Sequence, residues 1–277
     1  MLKRNIRTLG PKGAELIHAL VQKNKMLFTI AEAMKVTGNS YNATEGLIRH
    51  LRDKNWLMSI KNGKYVIVPL EAGMDDFNSY NWFVIARELI GKENYYISHY
   101  SAMSIHNMIT QPLSIVYVVS PVRHREKKVG IIRFKFVYTE KQKIWGTASE
   151  WVTPQERVQV SNIERTIIDC LHIPEYCGGI SEIAKGIWMS RDNIDYKKLY
   201  SYTNKFKKIV VSKRLGFILE TYGINKENII TLLNKDVKKH ESYPLLDPVL
   251  PDAGKYNKNW HLRINLNPEE LKAIIQT

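Results

Sequence analysis

The sequence predicts an α+β fold in two domains, a small N-terminal domain of three helices and a β-hairpin and a larger mixed α/β domain. The first 70 residues carry three helical patterns and then an alternating pattern, whereas the rest has strand patterns first and helical patterns later. The 277 residues are about right for two domains. Hydrophobic residues make up 44% and charged residues 25%, which is typical of globular domains with apolar cores.

Two helices open the N-terminal domain. Apolar residues such as Leu16 and Leu20 recur at helical spacing after Pro11, which predicts the first helix. Thr29 is typical of a helix N-cap and Gly38 of a C-terminal stop, so a second helix is expected between them.

A third helix and a hairpin complete this domain. The third helix is expected to turn Ala43, Leu47 and Leu51 inward, with Ile48 at the edge of that stripe. Its outward residues are Asn42, Glu45, Arg49 and Arg52. Asn62-Gly63 between two alternating runs predicts a hairpin with a type I′ turn, which needs a positive φ at both central residues.

Three helices followed by a basic hairpin are similar to a winged helix-turn-helix, whose third helix enters the DNA major groove. The net charge of +14 supports a polyanionic partner, because residues 1–70 alone hold +8 of it. The residues predicted to contact DNA are Lys35, Asn42, Thr44, Glu45, Arg49, Arg52, Lys61 and Lys64. The alternative is a winged-helix fold that binds protein.

The larger domain is expected to begin at residue 73, after a first domain spanning residues 1–72. Its predicted strands are Tyr95–Ser98, Leu113–Ser120, Val129–Tyr138 and Arg157–Val160, with a final strand at Trp260–Asn265. Its predicted helices begin after a cap at Asn78 or Ser79 and include Asn162–Leu171, Ile180–Met189, Asp195–Phe206, Ser212–Tyr222, Asn225–Asn234 and a last helix with Pro268 at its start. Strands before helices favour a mixed sheet over a regular βαβ array.

No common catalytic motif accompanies these elements. The chain has neither a phosphate-binding loop of the G-x-x-x-x-G-K-[ST] type nor a G-x-S-x-G elbow. Asp75, Asp76 and Glu126 are the residues that a Mg²⁺-dependent nuclease would use, and this enzyme is the alternative hypothesis. His99 and His106 could form a ligand pair, but no third ligand is near in the sequence. No catalytic residue, metal ligand or cofactor is therefore predicted.

The segment Ser161–Gly179, S-N-I-E-R-T-I-I-D-C-L-H-I-P-E-Y-C-G-G, concentrates polar and sulfur-bearing residues. Ser161 and Glu164 have the spacing of a helix capping box, and Arg165 and Asp169 can pair at i,i+4. Cys170 falls on the apolar face of the same helix and is expected to be buried. The seven-residue separation of Cys170 and Cys177 does not match a zinc knuckle. The segment therefore indicates packing and capping.

The chain is expected to work in the cytoplasm without a membrane anchor. No run approaches the roughly 20 apolar residues of a transmembrane helix, and no secretory signal is recognisable at the N-terminus. Two cysteines provide no disulfide framework and suit a reducing compartment.

Four segments together resemble the AbiEi antitoxin family of type IV toxin–antitoxin and abortive-infection systems. They are Tyr95–Pro112 (Y-Y-I-S-H-Y-S-A-M-S-I-H-N-M-I-T-Q-P), Ser161–Gly179, Arg214–Glu220 (R-L-G-F-I-L-E) and Trp260–Asn265 (W-H-L-R-I-N). The resemblance implies a DNA-binding autorepressor that recognises inverted repeats in its own promoter. It also implies that residues 73–277 counteract a nucleotidyltransferase toxin without forming a stable complex with it, and that the chain is not an enzyme.

Overall fold

The computed structural model describes residues 9–68 and 81–274 and divides the chain into two units by its internal contacts. The first unit comprises Met1–Gly91 and Lys127–Phe134, and the second comprises Lys92–Glu126 and Lys135–Thr277. The boundary expected between residues 72 and 73 and the caps expected at Asn78 and Ser79 lie outside the described residues. The division by contacts falls after Gly91.

Helices and strands alternate irregularly along the chain, which confirms the predicted α+β class. The helices are α1 (Pro11–Gln22), α2 (Ile30–Thr37), α3 (Tyr41–Asp53), α4 (Trp82–Ile90), α5 (His99–Ile105), α6 (Ile163–His172), α7 (Ile180–Ser190), α8 (Tyr196–Phe206), α9 (Ile209–Thr221), α10 (Ile229–Val237) and α11 (Pro268–Ile274). The strands are β1 (Leu27–Thr29), β2 (Leu57–Lys61), β3 (Lys64–Ile67), β4 (Tyr96–Ile97), β5 (Ile115–Ser120), β6 (Lys127–Val129), β7 (Ile132–Tyr138), β8 (Thr147–Trp151), β9 (Arg157–Ser161), β10 (Lys255–Asn257) and β11 (Leu262–Ile264). Among the described residues no helix is long and apolar enough to cross a membrane.

The first unit packs α1, α2 and α3 against an antiparallel sheet of order β1-β3-β2. Thr29 caps α2 in a capping box with Glu32, whose carboxylate accepts from the Thr29 backbone N–H at 2.7 Å, and Gly38 ends the helix with a φ of 66°. Both ends therefore match the prediction. The core of this unit is apolar and includes Leu16, Phe28, Ile48, Leu51 and Trp56.

The hairpin of β2 and β3 forms where Asn62-Gly63 predicts it, but its turn differs from the expected type. Of the two central residues only Gly63 has a positive φ, of 68°, so the turn is not type I′. The register shifts between Ser59 and Lys61, which leaves one extra residue in β2. A type I′ turn is favoured in two-residue hairpins because its twist matches that of the two strands. The β-bulge changes the local twist of the strands, so another turn type can join them.

Within the second unit, four strands pair in the order β5-β4-β9-β8. β4 runs antiparallel to β5 and parallel to β9, and β9 is antiparallel to β8 from Thr147↔Ser161 to Trp151↔Arg157. The region predicted as one strand at 129–138 is instead two strands, β6 and β7, joined at Gly130, whose φ is 58°. The mixed sheet was predicted, whereas β8 was not.

Helix α6 packs among other helices of the second unit. Every residue of α6 from Glu164 to Leu171 is buried, and α6 contacts α5, α7, α8 and α9. One continuous apolar core lies between these helices, with Trp260 of the C-terminal segment fully buried in it. The predicted helix Ser212–Tyr222 extends one turn further toward its N-terminus, and Asn225–Asn234 begins later, at Ile229.

Candidate nucleic-acid interface and a cationic pocket

In the first unit, α3 presents a polar face to solvent. α3 follows α2 after Gly38, and the Ser40 hydroxyl caps it by accepting from the Ala43 backbone N–H at 3.5 Å. Five of the residues predicted to contact DNA are exposed on α2 and α3, namely Lys35, Asn42, Glu45, Arg49 and Arg52. The four on α3 are separated by three, four and three positions, so they lie on one face of the helix.

The structure contradicts the prediction that Thr44 contacts DNA. Its side chain is 0% exposed and lies on the inward face of α3 together with Ile48 and Leu51. The predicted stripe began at Ala43, which is exposed, so the buried face is displaced by one residue. Thr44 is turned inward because it lies one helical turn before Ile48 and two before Leu51, which pack in the core of the first unit. It cannot reach a base edge from there.

The two predicted hairpin lysines contact α4 of the same unit. The Lys64 ammonium pairs with the Glu88 carboxylate, and Lys61 Nζ donates to the Glu88 backbone carbonyl at 2.5 Å. Burial tends to raise the pKa of Glu88, but the neighbouring Lys64 and Arg87 together outweigh that effect and the pKa is lowered. Both lysines are half-buried. They would have to leave Glu88 to contact a DNA phosphate.

The residues proposed for a nuclease site are not brought together within the described part of the chain. Asp75 and Asp76 lie outside the described residues. Glu126 lies just before β6 and already interacts with another group. Across residues 9–68 and 81–274, no three His, Cys, Asp or Glu side chains are grouped as metal ligands.

The predicted capping box at the start of α6 is wrong. Asn162 caps the helix by accepting from the Arg165 backbone N–H at 3.0 Å, because the chain remains in β9 through Ser161. Ser161 instead shares a 2.7 Å hydrogen bond with Thr166. Glu164 accepts from the Asp195 backbone N–H at 3.1 Å, so its carboxylate joins α6 to the start of α8.

Cys170, Cys177 and His99 are buried in the second unit, and His106 hydrogen bonds to the backbone. Cys170 and Cys177 are both free thiols in the apolar core, as the periodicity of Cys170 predicted, and burial raises the pKa of the Cys170 thiol. His106 Nε2 hydrogen bonds to the Ser161 carbonyl at 2.6 Å. His99 has the backbone φ of 50° that non-glycine residues seldom adopt, and its Nδ1 lies 2.8 Å from Ser98 Oγ. Burial lowers the pKa of His99 to about 3, so its ring is neutral at pH 7.

Arg165 and Asp169 form the predicted i,i+4 ion pair, and Tyr96 of β4 completes a buried network. Arg165 Nε donates to Asp169 Oδ1 at 2.9 Å, and Arg165 Nη2 donates to the Tyr96 hydroxyl at 3.0 Å. The same hydroxyl donates to Asp169 Oδ2 at 3.1 Å. The Arg165 and Asp169 side chains are only 3% and 6% exposed. Burial raises the pKa of Tyr96, so its hydroxyl stays protonated.

This network lines a pocket of about 650 Å³ in the second unit. The aromatic part of its wall includes Tyr96, Trp145 and Phe206. Its cationic residues are Lys143, Arg165, Lys205, Lys207 and Lys208. Asp169 is the acidic residue among those lining it, and Arg165 already pairs with that carboxylate. The pocket therefore has a marked excess of positive charge.

Two buried polar atoms of pocket-lining residues have no hydrogen-bond partner among the described residues. They are Arg165 Nη1 and His172 Nδ1. The Arg165 guanidinium lies 4.1 Å from the centre of the Trp145 ring, and the Lys205 ammonium lies 4.5 Å from that centre. Burial, and after it the charge of Lys208, lowers the pKa of His172, so this ring too is held neutral.

The convergence of these residues on one pocket is not apparent from their positions along the chain. Arg165 and Asp169 could be paired from helical spacing alone. Tyr96 lies 69 positions before Arg165. Lys205, Lys207 and Lys208 lie at the end of α8 or just after it, where a basic run is usually a solvated helix end. The useful signal was the pair of buried charges on α6, because such a pair needs further polar partners.

Comparison with known proteins shows a shared fold and does not indicate a function. Neither a family model nor a curated protein matches the chain by sequence. Among solved structures, the crystal structure of RV2827C protein from Mycobacterium tuberculosis is similar with a TM-score of 0.71 and 12% sequence identity. The alignment covers 98% of this chain and 97% of that chain. The two proteins therefore share their fold over nearly their full lengths.

Proposed function

We propose that this chain is a DNA-binding transcriptional autorepressor and the antitoxin of a type IV toxin–antitoxin system, acting in the cytoplasm against a nucleotidyltransferase toxin. The observation that carries the DNA-binding half is the exposed polar face of α3, with Asn42, Glu45, Arg49 and Arg52 in line. That face belongs to the most basic quarter of a chain whose net charge is +14. DNA phosphates favour such a charge through release of their counterions.

The order of elements in the first unit supports the assignment of α3 as the recognition helix. The order α1-β1-α2-α3-β2-β3, with strand order β1-β3-β2, is that expected of a winged helix-turn-helix. In DNA-binding proteins of the helix-turn-helix class, the second helix of the motif lies in the major groove. Arg49 and Asn42 have the side chains that pair with guanine and adenine edges there, and Lys35 and Arg52 would contact phosphates.

The antitoxin half rests on the resemblance of four segments to the AbiEi family. Ser161–Gly179, the longest of them, covers all of α6, and Arg214–Glu220 lies within α9. These segments supply much of the buried core of the second unit, so their pattern is tied to that unit's fold. The similarity to RV2827C protein concerns the fold alone, so the antitoxin role has to be tested by experiment.

Replacing Arg49 with alanine is expected to weaken binding to the operator by about tenfold or more, since one base contact contributes about 1–3 kcal/mol. The side chain is exposed, so the fold should be unchanged. A gel shift with DNA from upstream of the gene measures the loss, and circular dichroism checks the fold. Lys23→Ala removes an equal charge just beyond α1 and serves as the matched control. Equal affinities for the two variants would remove α3 as the recognition helix.

Growth measurements test the antitoxin half separately. We expect a nucleotidyltransferase gene beside this gene, and we expect growth arrest by that enzyme to be relieved when this chain is expressed with it. The Arg49→Ala variant should still relieve the arrest, because α3 lies in the first unit. Operator binding without any relief would leave a transcriptional regulator and remove the antitoxin assignment.

A further inference from the structure

We propose that the cationic pocket of the second unit binds a small phosphate monoester, with Arg165, His172 and the lysines that follow α8 holding the phosphate. This proposal stands independently of DNA binding and toxin neutralisation, because every residue lining the pocket lies in the second unit and none belongs to α3.

The unpartnered atoms indicate where the phosphate would bind. Arg165 is 3% exposed, yet its Nη1 has no acceptor among the described residues, although its Nε and Nη2 are both bonded. Leaving a buried donor without an acceptor is costly, and a charged donor especially so. His172 Nδ1, also unpartnered within that part of the chain, lines the same pocket. A guanidinium N–H donates to phosphate oxygens, and a neutral imidazole does so at Nδ1 in the tautomer that carries its proton there.

The charge of the pocket suits a dianion. Asp169 balances Arg165, and Glu140 pairs with Lys143 at 2.7 Å. Among the described residues, no carboxylate forms an ion pair with Lys205, Lys207 or Lys208. The three lysines therefore carry more positive charge than a ligand with a single negative charge would balance. A phosphate monoester carries close to two negative charges at pH 7.

The size and walls of the pocket favour an ester over free inorganic phosphate. A volume of about 650 Å³ falls in the range of pockets that hold small organic ligands. Trp145, Phe206 and Tyr138 line it and provide apolar surface for an organic group attached to the phosphate. Trp145 lies beside both Arg165 and Lys205, so its fluorescence should respond when an anion approaches these cations.

Calorimetry with the full chain tests the proposal with four compounds: inorganic phosphate, ribose 5-phosphate, adenosine 5′-monophosphate and adenosine. We expect at least one of the two esters to bind saturably and more tightly than inorganic phosphate, and adenosine not to bind. Tighter binding of the nucleotide than of the sugar phosphate would assign the organic group to the aromatic wall. Inorganic phosphate binding as tightly as both esters would overturn the ester assignment. No saturable binding of any phosphate compound up to about 10 mM would overturn the site itself, because a complex with a Kd of about 1 mM would be nearly saturated at that concentration.

Two exposed lysines provide a variant that should fold normally. Lys207→Gln/Lys208→Gln is expected to weaken ester binding by about tenfold, as two charge-assisted contacts are lost. Lys235→Gln/Lys238→Gln removes the same charge from an exposed part of the second unit outside the pocket and should bind the ester normally. Equal loss in both variants would mean nonspecific attraction and would contradict the proposal. Operator binding by Lys207→Gln/Lys208→Gln should be unchanged, which separates this result from the DNA-binding hypothesis.

A second variant tests the buried donor. Arg165→Met/Asp169→Leu removes the ion pair as a unit, and we expect it to abolish ester binding while circular dichroism shows a folded protein. Retention of full ester affinity in this folded variant would exclude Arg165 as a phosphate ligand and overturn the proposal.

Discussion

Replacing Asp169 with alanine is expected to lower the free energy of unfolding of the second unit by about 3–5 kcal/mol, the usual effect of breaking a buried ion pair. The change removes both carboxylate oxygens, so the Arg165 Nε–H and the Tyr96 hydroxyl lose their acceptors inside the fold, and among the described residues the Arg165 guanidinium keeps only its hydrogen bond to Tyr96. An unpaired charge in a low-dielectric interior is poorly solvated, and here it would lie beneath the Trp145 ring. The loss is therefore much larger than for a surface pair.

Urea denaturation followed by circular dichroism measures this effect, with two comparison variants. Glu269→Ala breaks the exposed Lys272–Glu269 pair and should change stability by less than about 1 kcal/mol. Arg165→Met/Asp169→Leu should be more stable than Asp169→Ala alone, since it leaves no unpaired charge behind. An Asp169→Ala variant as stable as Glu269→Ala would show that Arg165 and Asp169 are hydrated and not buried as described.

The second large effect is expected from Gly216→Ala in α9. A Cβ atom at this position would lie 2.0 Å from Trp260 Cζ3, and Trp260 is 0% exposed. The indole cannot easily move, because its Nε1 donates to Glu220 Oε2 at 2.7 Å. Overpacking of this kind costs typically about 1–3 kcal/mol and sometimes more, which exceeds the roughly 1 kcal/mol that alanine gains over glycine in a helix.

Gly46→Ala in α3 is the matched control, with the opposite expected sign. Among the residues that the structure describes, nothing lies within 4 Å of the Cβ that would be added at Gly46, so helix propensity should decide and stability should rise by about 1 kcal/mol. Urea denaturation of both variants, followed by tryptophan fluorescence, measures the two changes. If Gly216→Ala also proved stabilising, the close packing of α9 on Trp260 would be wrong.

Local signals in the sequence predicted the local structure of this chain. The Thr29 cap, the Gly38 stop and the start of the last helix at Pro268 depend on a few neighbouring residues, and all three are observed. The Arg165–Asp169 pair is of the same kind, because helical spacing alone brings the two side chains together. The α+β class followed from summing such signals along the chain.

Features set by distant residues were missed. β1 and β8 are strands because they pair with β3 and β9, and their own sequences are too short or too polar to show it. In α3 the apolar residues lie on two adjacent rows of the helix surface, so the sequence pattern does not decide which row faces the core. The prediction chose the row of Ala43 and Leu47, and it therefore placed Thr44 on the exposed face. The pocket was missed for a similar reason, because Tyr96, Arg165 and the lysines after α8 meet only in three dimensions.

A nuclease-protection footprint on DNA upstream of this chain's own gene tests the central claim most directly. We expect the wild-type chain to protect a pair of inverted repeats in the promoter, and we expect the protection to be lost at the same concentration with Arg49→Ala but not with Lys23→Ala. Protection should also decrease as salt is raised, because phosphate contacts release counterions. Uniform coverage without a protected site, or a protected site that Arg49→Ala leaves unchanged, would contradict the assignment of α3 as the operator-binding helix.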